Sequence, residues 1–367
     1  MNTLSSLLTK LKRDATKKPL TILNVCGGHE RTISFSGIRK PLQPYVDLIP
    51  GPGCPVCVCP EEDIFLAVQL ALQAHTRVLT FGDMMRVPCN APKGEPRSLA
   101  EARSLGGNAH AIASPMEVLD YAAKHPEAEI VFFAVGFETT MAPVAALVAQ
   151  GLPENVKMLL SGRRTWPIVE ALLQEGQHRF ESIIAPGHVA TIMGCDEWRA
   201  ASNKFGINTV VAGFTPEQIL HAIEALVSNH NKYEPQFKNI YPQVVTEKGN
   251  EKAKRVLDEV FEIVETPWRG MGHVANSGYA LREPYRDFDI RPRSTLEMVS
   301  RKRMGQMPAG CACTEVVMGK TRPNDCPLYE KVCVPSRPIG PCMVSDEGAC
   351  HIWWQSGVRN ESNHAYS

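Results

Sequence analysis

The sequence predicts an α/β protein in which two parallel-sheet lobes surround a cleft, followed by a loop-rich C-terminal region held by cysteine-bound metal. Three observations carry this. From residue 21 to about 229, short β-branched runs alternate with longer helical patterns. The runs are apolar on both faces, as parallel strands covered by helices on both sides must be. After Asn231 the texture changes: 232–245 is rich in Tyr, Pro and Asn, and from Thr266 onward Pro, Gly, Arg and Cys dominate with little periodicity. The 367 residues, 44% of them hydrophobic, allow two or three domains at roughly 100 to 200 residues each. The expected divisions are an N-terminal helix (1–18), a first α/β lobe (19–138), a second (139–235) and the cysteine-rich domain (236–367).

Element by element, Leu4, Leu7, Leu8 and Leu11 fall at helical spacing, and the basic cluster Lys10, Lys12, Arg13, Lys17 and Lys18 begins at their C-terminal end. An export signal has the reverse order, so a short amphipathic helix and a cytoplasmic protein are expected. Strands are expected at 21–26, 46–49, 78–81, 109–113, 129–135, 157–161, 182–185 and 208–211. Helices are expected at 61–75, 115–125, 140–150, 166–174 and 216–229, and another at 247–264. Loops at the carboxyl ends of the strands would line the cleft.

Composition removes two function classes. The 39 Lys and Arg balance 39 Asp and Glu, which leaves no net field to grip a nucleic-acid backbone. The longest strongly apolar run, 130–137, is far short of the ~20 residues that cross a bilayer. Neither nucleic acid nor membrane is an expected partner.

Twelve cysteines in a cytosolic chain read as metal ligands or redox thiols rather than as a disulfide framework. Six lie between Cys311 and Cys350. Cys311, Cys326, Cys333 and Cys350 are separated by 14, 6 and 16 residues, with Cys313 and Cys342 as further thiols. Four thiolates from a loop-rich segment suit a structural zinc or an iron–sulfur cluster; the absence of a Cys-x2-Cys knuckle there favours iron and sulfur. A second group is the run Gly51-Pro52-Gly53-Cys54-Pro55-Val56-Cys57, where Cys54 and Cys57 sit near a helix N-terminus that favours thiolate and dithiol–disulfide chemistry. A rigid turn or half of a zinc site would use the same residues. A third is Cys26-Gly27-Gly28-His29-Glu30, whose glycines permit close backbone approach and whose Cys26 and His29 offer two metal donors. A core cysteine beside a surface histidine is the alternative.

Two loops fall where cleft residues belong. Glu138, Thr139 and Thr140 follow the most apolar strand, and His188 follows the strand ending at Ala185. Helix capping by a threonine and a structural hydrogen bond by His188 are the simpler roles. Cys59, Cys89 and Cys195 read as small core residues. Gly319-Lys320-Thr321 resembles the end of a phosphate loop, but Thr314 stands where that loop needs glycine. Dinucleotide, hydrolase and zinc-protease signatures are absent.

Together these motifs, CGGHE, GPGCPVC, GFETT, PGHVATIMG and the 14, 6, 16 cysteine spacing, resemble in content and order the HypD family of [NiFe] hydrogenase maturation proteins. Arg31 stands where the family often has a second histidine. The resemblance implies a [4Fe-4S] cluster on Cys311, Cys326, Cys333 and Cys350, a redox dithiol at Cys54 and Cys57, and Cys26, with His29 beside it, on an iron atom. It further implies a HypC-type chaperone as partner and HypE, with HypF, as cyanide donor, the product being an Fe(CN)2CO group. A stand-alone iron–sulfur thiol–disulfide oxidoreductase and a zinc-stabilised binding protein are the competing functions.

Overall fold

The computed structural model describes residues 3–14, 18–230, 235–293 and 303–358. The expected α/β architecture is present: two parallel sheets and a cysteine-rich C-terminal region. The strands are β1 (Leu20–Asn24), β2 (Val46–Pro50), β3 (Thr76–Phe81), β4 (Ala109–Ile112), β5 (Glu129–Gly136), β6 (Val156–Gly162), β7 (Ser182–Pro186), β8 (Asn208–Ala212), β9 (Phe237–Asn239), β10 (Phe261–Trp268) and β11 (Gly272–Leu281). One sheet has the order β2-β1-β7-β8-β9, the other β4-β3-β5-β6, and every pairing within them is parallel. β1, β6, β7 and β8 are buried along their whole length, which is why they read as continuous apolar runs.

The sheets do not follow the expected division at 138. That point falls between β5 and β6, which are neighbours in register from Ile130 opposite Val156 to Gly136 opposite Gly162. The chain leaves the first sheet after β2, builds the second from β3 to β6, and returns with β7 beside β1. Periodicity identifies a strand but carries no information about which sheet it joins.

The N-terminal helix (Thr3–Asp14) buries Leu7 and Leu11 against the helix Pro216–His230; Lys17 lies outside the described residues. The helix expected at 247–264 spans Glu251–Val260 and gives way at Phe261 to an antiparallel hairpin, β10 with β11, in a region expected to be irregular. The hairpin is partly exposed and packs on the helix Thr165–Glu175 and on β6, contacts no local pattern announces.

The C-terminal region has no separate core. Val316, Val317, Met343, Ile352 and Trp353 join one cluster with Leu23 and Val25 beside β1 and with Val131 and Phe133 of β5. Its short turns are thereby held against both lobes. No helix among the described residues is long and apolar enough to cross a membrane.

Candidate metal and redox site

Four loops meet at the carboxyl edge of β2-β1-β7-β8, where ligands bind in parallel sheets. The loop after β1 carries Cys26 and enters the helix Gly27–Phe35; the loop after β2 carries Gly51 to Cys54. They lie back to back. The Gly27 amide donates to Gly53 O at 3.2 Å, and a Cβ on Gly53 would stand 2.5 Å from Cys26 Cα. A Cβ on Gly27 would stand 2.6 Å from Glu347 Cβ, so both glycines are required by close approach.

Cys26, Cys54 and Cys342 line one narrow cavity together with Glu30 and Glu347. Cys54 and Cys57 form a disulfide, with Cα atoms 5.3 Å apart across a short turn (Pro55–Val58) that has proline at its first position. This is the oxidised form of the expected dithiol, and in it neither sulfur has a thiolate to offer a metal. Burial pushes the Cys26 thiol up to about 12 and Glu347 adds to this, while the amides of His29 and Gly28 at the helix start oppose it.

His29 is fully buried, not a surface residue. Its Nε2 lies 3.2 Å from Ala212 O, which requires the proton on Nε2 and leaves Nδ1 an unprotonated acceptor without a hydrogen-bond partner. Burial lowers its pKa to about 3, with the hydrogen bond to Ala212 O opposing, so the ring is neutral and a competent donor atom at Nδ1. Phe214, after β8, lies against His29 at 4.5 Å between ring centroids and stacks on the exposed His188 at 3.7 Å. Burial also lowers the His188 pKa. His29 and His188 are thus joined through one aromatic ring that the sequence patterns did not single out.

Glu138, Thr139 and Thr140 are placed elsewhere. Glu138 is fully buried at the carboxyl end of β5, where its two oxygens accept from the Thr165 amide at 2.7 Å and hydroxyl at 2.8 Å. It caps the start of the helix Thr165–Glu175, and burial raises its pKa. Thr140 packs on Gly136, where a Cβ would lie 2.3 Å from Thr140 Cβ, and Thr139 is exposed. None of the three lines the Cys26 cavity.

In the C-terminal region the sulfurs of Cys313, Cys342 and Cys350 lie within 4.8 Å of one another, all buried. Of these only Cys350 belongs to the expected four. A Cβ on Gly340 would lie 2.4 Å from Cys311 Sγ and 2.6 Å from Cys313 Sγ, which puts Cys311 beside the same group. Cys333 Sγ accepts from the Ile339 amide at 3.3 Å and feels the Cys313 and Cys311 sulfurs. Hydrogen bonds from Cys313 and Cys350 hold the Cys342 thiol well below its usual range, while those same contacts push Cys350 up. Crowded thiols sharing one negative charge are a donor set suited to a soft metal or an iron–sulfur cluster. Cys326 is outside the three-thiol group. Spacing alone could not single out that group, because six sulfurs of one loop-rich stretch can converge in several ways. The turn Pro55–Val58 packs on Pro341–Met343, so the disulfide and the thiol group adjoin.

A family model described as "HypD: Hydrogenase formation hypA family" matches residues 2–357. The chain belongs to the HypD family of hydrogenase maturation factors. A putative hydrogenase expression/formation protein of Methanocaldococcus jannaschii is 38% identical over 92% of each chain. The hydrogenase maturation factor HypD of Azotobacter vinelandii is 35% identical over 94% of this chain and 92% of its own, and that of Escherichia coli 34% over 92% and 90%. Membership is therefore carried by nearly the whole chain. Sequence reasoning passed over Glu347, Phe214 and Trp353, residues that build the site from outside the short motifs.

Proposed function

We propose that this maturation factor is a redox-active scaffold. With a HypC-type chaperone it holds iron while cyanide, delivered by HypE with HypF, and carbon monoxide are attached to give the Fe(CN)2CO group of a [NiFe] hydrogenase. The observation that supports this reading is the shared cavity of Cys26, Cys54 and Cys342, where a free thiol, a disulfide and the C-terminal thiol group adjoin. Cys26 anchors the iron substrate through sulfur; His29, three residues on and outside the lining of that cavity, offers an unpartnered Nδ1 as a second donor. Soft thiolate suits iron that carries cyanide and carbonyl.

The C-terminal thiols suit a [4Fe-4S] cluster, and the proposed ligands remain Cys311, Cys326, Cys333 and Cys350, with Cys313 and Cys342 packed against them. Such a cluster, when bound, exchanges single electrons. Interconversion of the Cys54–Cys57 disulfide and its dithiol moves two electrons and two protons, so two such exchanges complete it. Cys54 and Cys57 are 4% and 2% exposed, which favours this internal partner over a protein dithiol arriving from solvent. The His29–Phe214–His188 edge forms a second wall of the same loop cluster, and the assembly is expected to work in the cytoplasm.

The test is infrared spectroscopy on the full chain purified without air together with its HypC- and HypE-type partners. Bands of metal-bound cyanide and carbonyl are expected, and Cys26→Ala should abolish them while iron and sulfide of the C-terminal centre persist. A folded, cluster-loaded complex without those bands would reject the scaffold.

A further inference from the structure

Arg269 occupies the tip of the β10–β11 hairpin and is 2% exposed. Its amide donates to Val58 O at 3.0 Å, and its Nη2 to Pro88 O at 2.7 Å, tying the tip to the Cys54–Cys57 turn and to the segment that follows β3. Nε and Nη1 are buried without a hydrogen-bond partner. No described carboxylate pairs with this guanidinium. A buried charge with neither an ion partner nor full hydrogen bonding is costly to the fold, and compensating negative charge beside it would relieve that cost.

The neighbouring groups show where that charge would be. Arg269 and Cys311 line the same cavity of about 530 Å³. Glu62 and Glu315 line that cavity too, and the arginine stands close enough to Cys59 to favour its thiolate. Cys59 is a poor counter-ion, because burial drives its thiol up to about 12. The next residue, Gly270, has φ +73°, and a Cβ there would meet Thr314 Oγ1 at 2.2 Å, so the tip is pressed onto the segment that follows Cys313. Thr314 Oγ1 is likewise buried and unpartnered.

We infer that the Arg269 guanidinium is the buried counter-charge of the C-terminal metal centre, neutralising the negative charge that thiolate-held iron and sulfur bring. The assignment rests on the cluster reading above. Net charge and hydrogen bonding around a cluster set its potential. A fixed positive charge therefore stabilises the reduced, more negative state, which makes Arg269 a positioning residue for electron entry and not a ligand.

The experiment uses the full chain, reconstituted without air, as parent, Arg269→Gln and Arg269→Lys. Iron content is measured first, then the cluster potential by dithionite titration followed by electron paramagnetic resonance. Arg269→Gln should favour the oxidised cluster at least tenfold, a shift of about 59 mV to lower potential for one electron. Arg269→Lys should recover most of that shift, which a merely structural role of the Pro88 contact would not predict. An iron-loaded Arg269→Gln protein with the parental potential would overturn the counter-charge and leave the cluster reading intact. A parent that binds no iron would overturn both. If Arg269→Gln does not load, loading restored by Arg269→Lys supports the assignment, and loading absent from both overturns it.

Discussion

The indole of Trp353 donates to Glu30 Oε1 at 2.6 Å, in the buried seam between the Cys26 helix and the helix that carries Cys350 (Ala349–Gln355). Arg39 pairs with the same carboxylate and lies over the Trp353 ring at 4.7 Å. The contact joins residues 323 apart in sequence, and it ties the Cys26 loop to the C-terminal cysteine group. Trp353→Phe keeps the ring and removes one charge-assisted bond, so a loss of about 1.5–3 kcal/mol is expected. Denaturant unfolding measures it, and an unchanged midpoint would deny the seam its role.

Gly53→Ala should be far less tolerated than an ordinary loop change. The added methyl would stand 2.5 Å from Cys26 Cα and 2.6 Å from its nitrogen, both backbone atoms that cannot rotate away. Overpacking of this kind costs about 1–3 kcal/mol. Iron retention at Cys26 should fall along with thermal stability. Gly94→Ala, at a glycine with nothing within 4 Å of the added carbon but φ +92°, supplies the comparison in which only backbone strain acts.

His29 makes stability depend on pH in a defined direction. Its pKa is about 3 in the fold against an ordinary 6.5, so the unfolded chain binds the extra proton first. The stabilisation is complete above pH 6.5 and is lost as pH falls through the window from 6.5 toward 3, at about 1.4 kcal/mol per unit. Between pH 5.5 and 4.5, where the unfolded imidazole is almost fully protonated and the folded one is not, His29→Phe should show a slope smaller by about that amount. Equal slopes in chemical denaturation would mean that the imidazole is not held neutral.

Serine replacements of the six C-terminal cysteines, each scored for iron and sulfide, decide the ligand set. Loss at Cys311, Cys326, Cys333 and Cys350 with retention at Cys313 and Cys342 is the expected pattern. Loss at Cys313 or Cys342 with retention at Cys326 would follow the three-thiol geometry instead and replace the proposed ligands.

Glu138 should behave as a cap, not as a catalyst. Glu138→Ala removes both acceptors of Thr165 and should cost about 1–3 kcal/mol of stability. Glu138→Gln keeps an acceptor and should leave iron loading at Cys26 unchanged. A variant of full stability that no longer carries cyanide-bearing iron would return Glu138 to the site.

Every strand of the two parallel sheets except β9 could be located from the residues, because short β-branched and apolar runs between helical patterns are a local signal, strongest where both faces are covered as in β6 to β8. The hairpin β10–β11 could not, since one of its faces is wet and it packs on the distant helix Thr165–Glu175 and on β6. The CGGHE and GPGCPVC loops were visible as glycine and cysteine clusters. Their adjacency required β1 and β2 to pair, and the place of Phe214 required β8 to lie two strands away.

The chemistry available was legible in the residues alone: thiols in three groups, two imidazoles, balanced charge and a family membership carried by ordered motifs. It took the fold to bring β7 back beside β1, to place Cys26 and Cys342 on one cavity, to set Glu138 against Thr165, and to crowd Cys313, Cys342 and Cys350 together. Residue type and spacing act over a few residues. Which distant sulfurs meet is settled by the burial of apolar surface across the whole chain, a sum that no short segment contains.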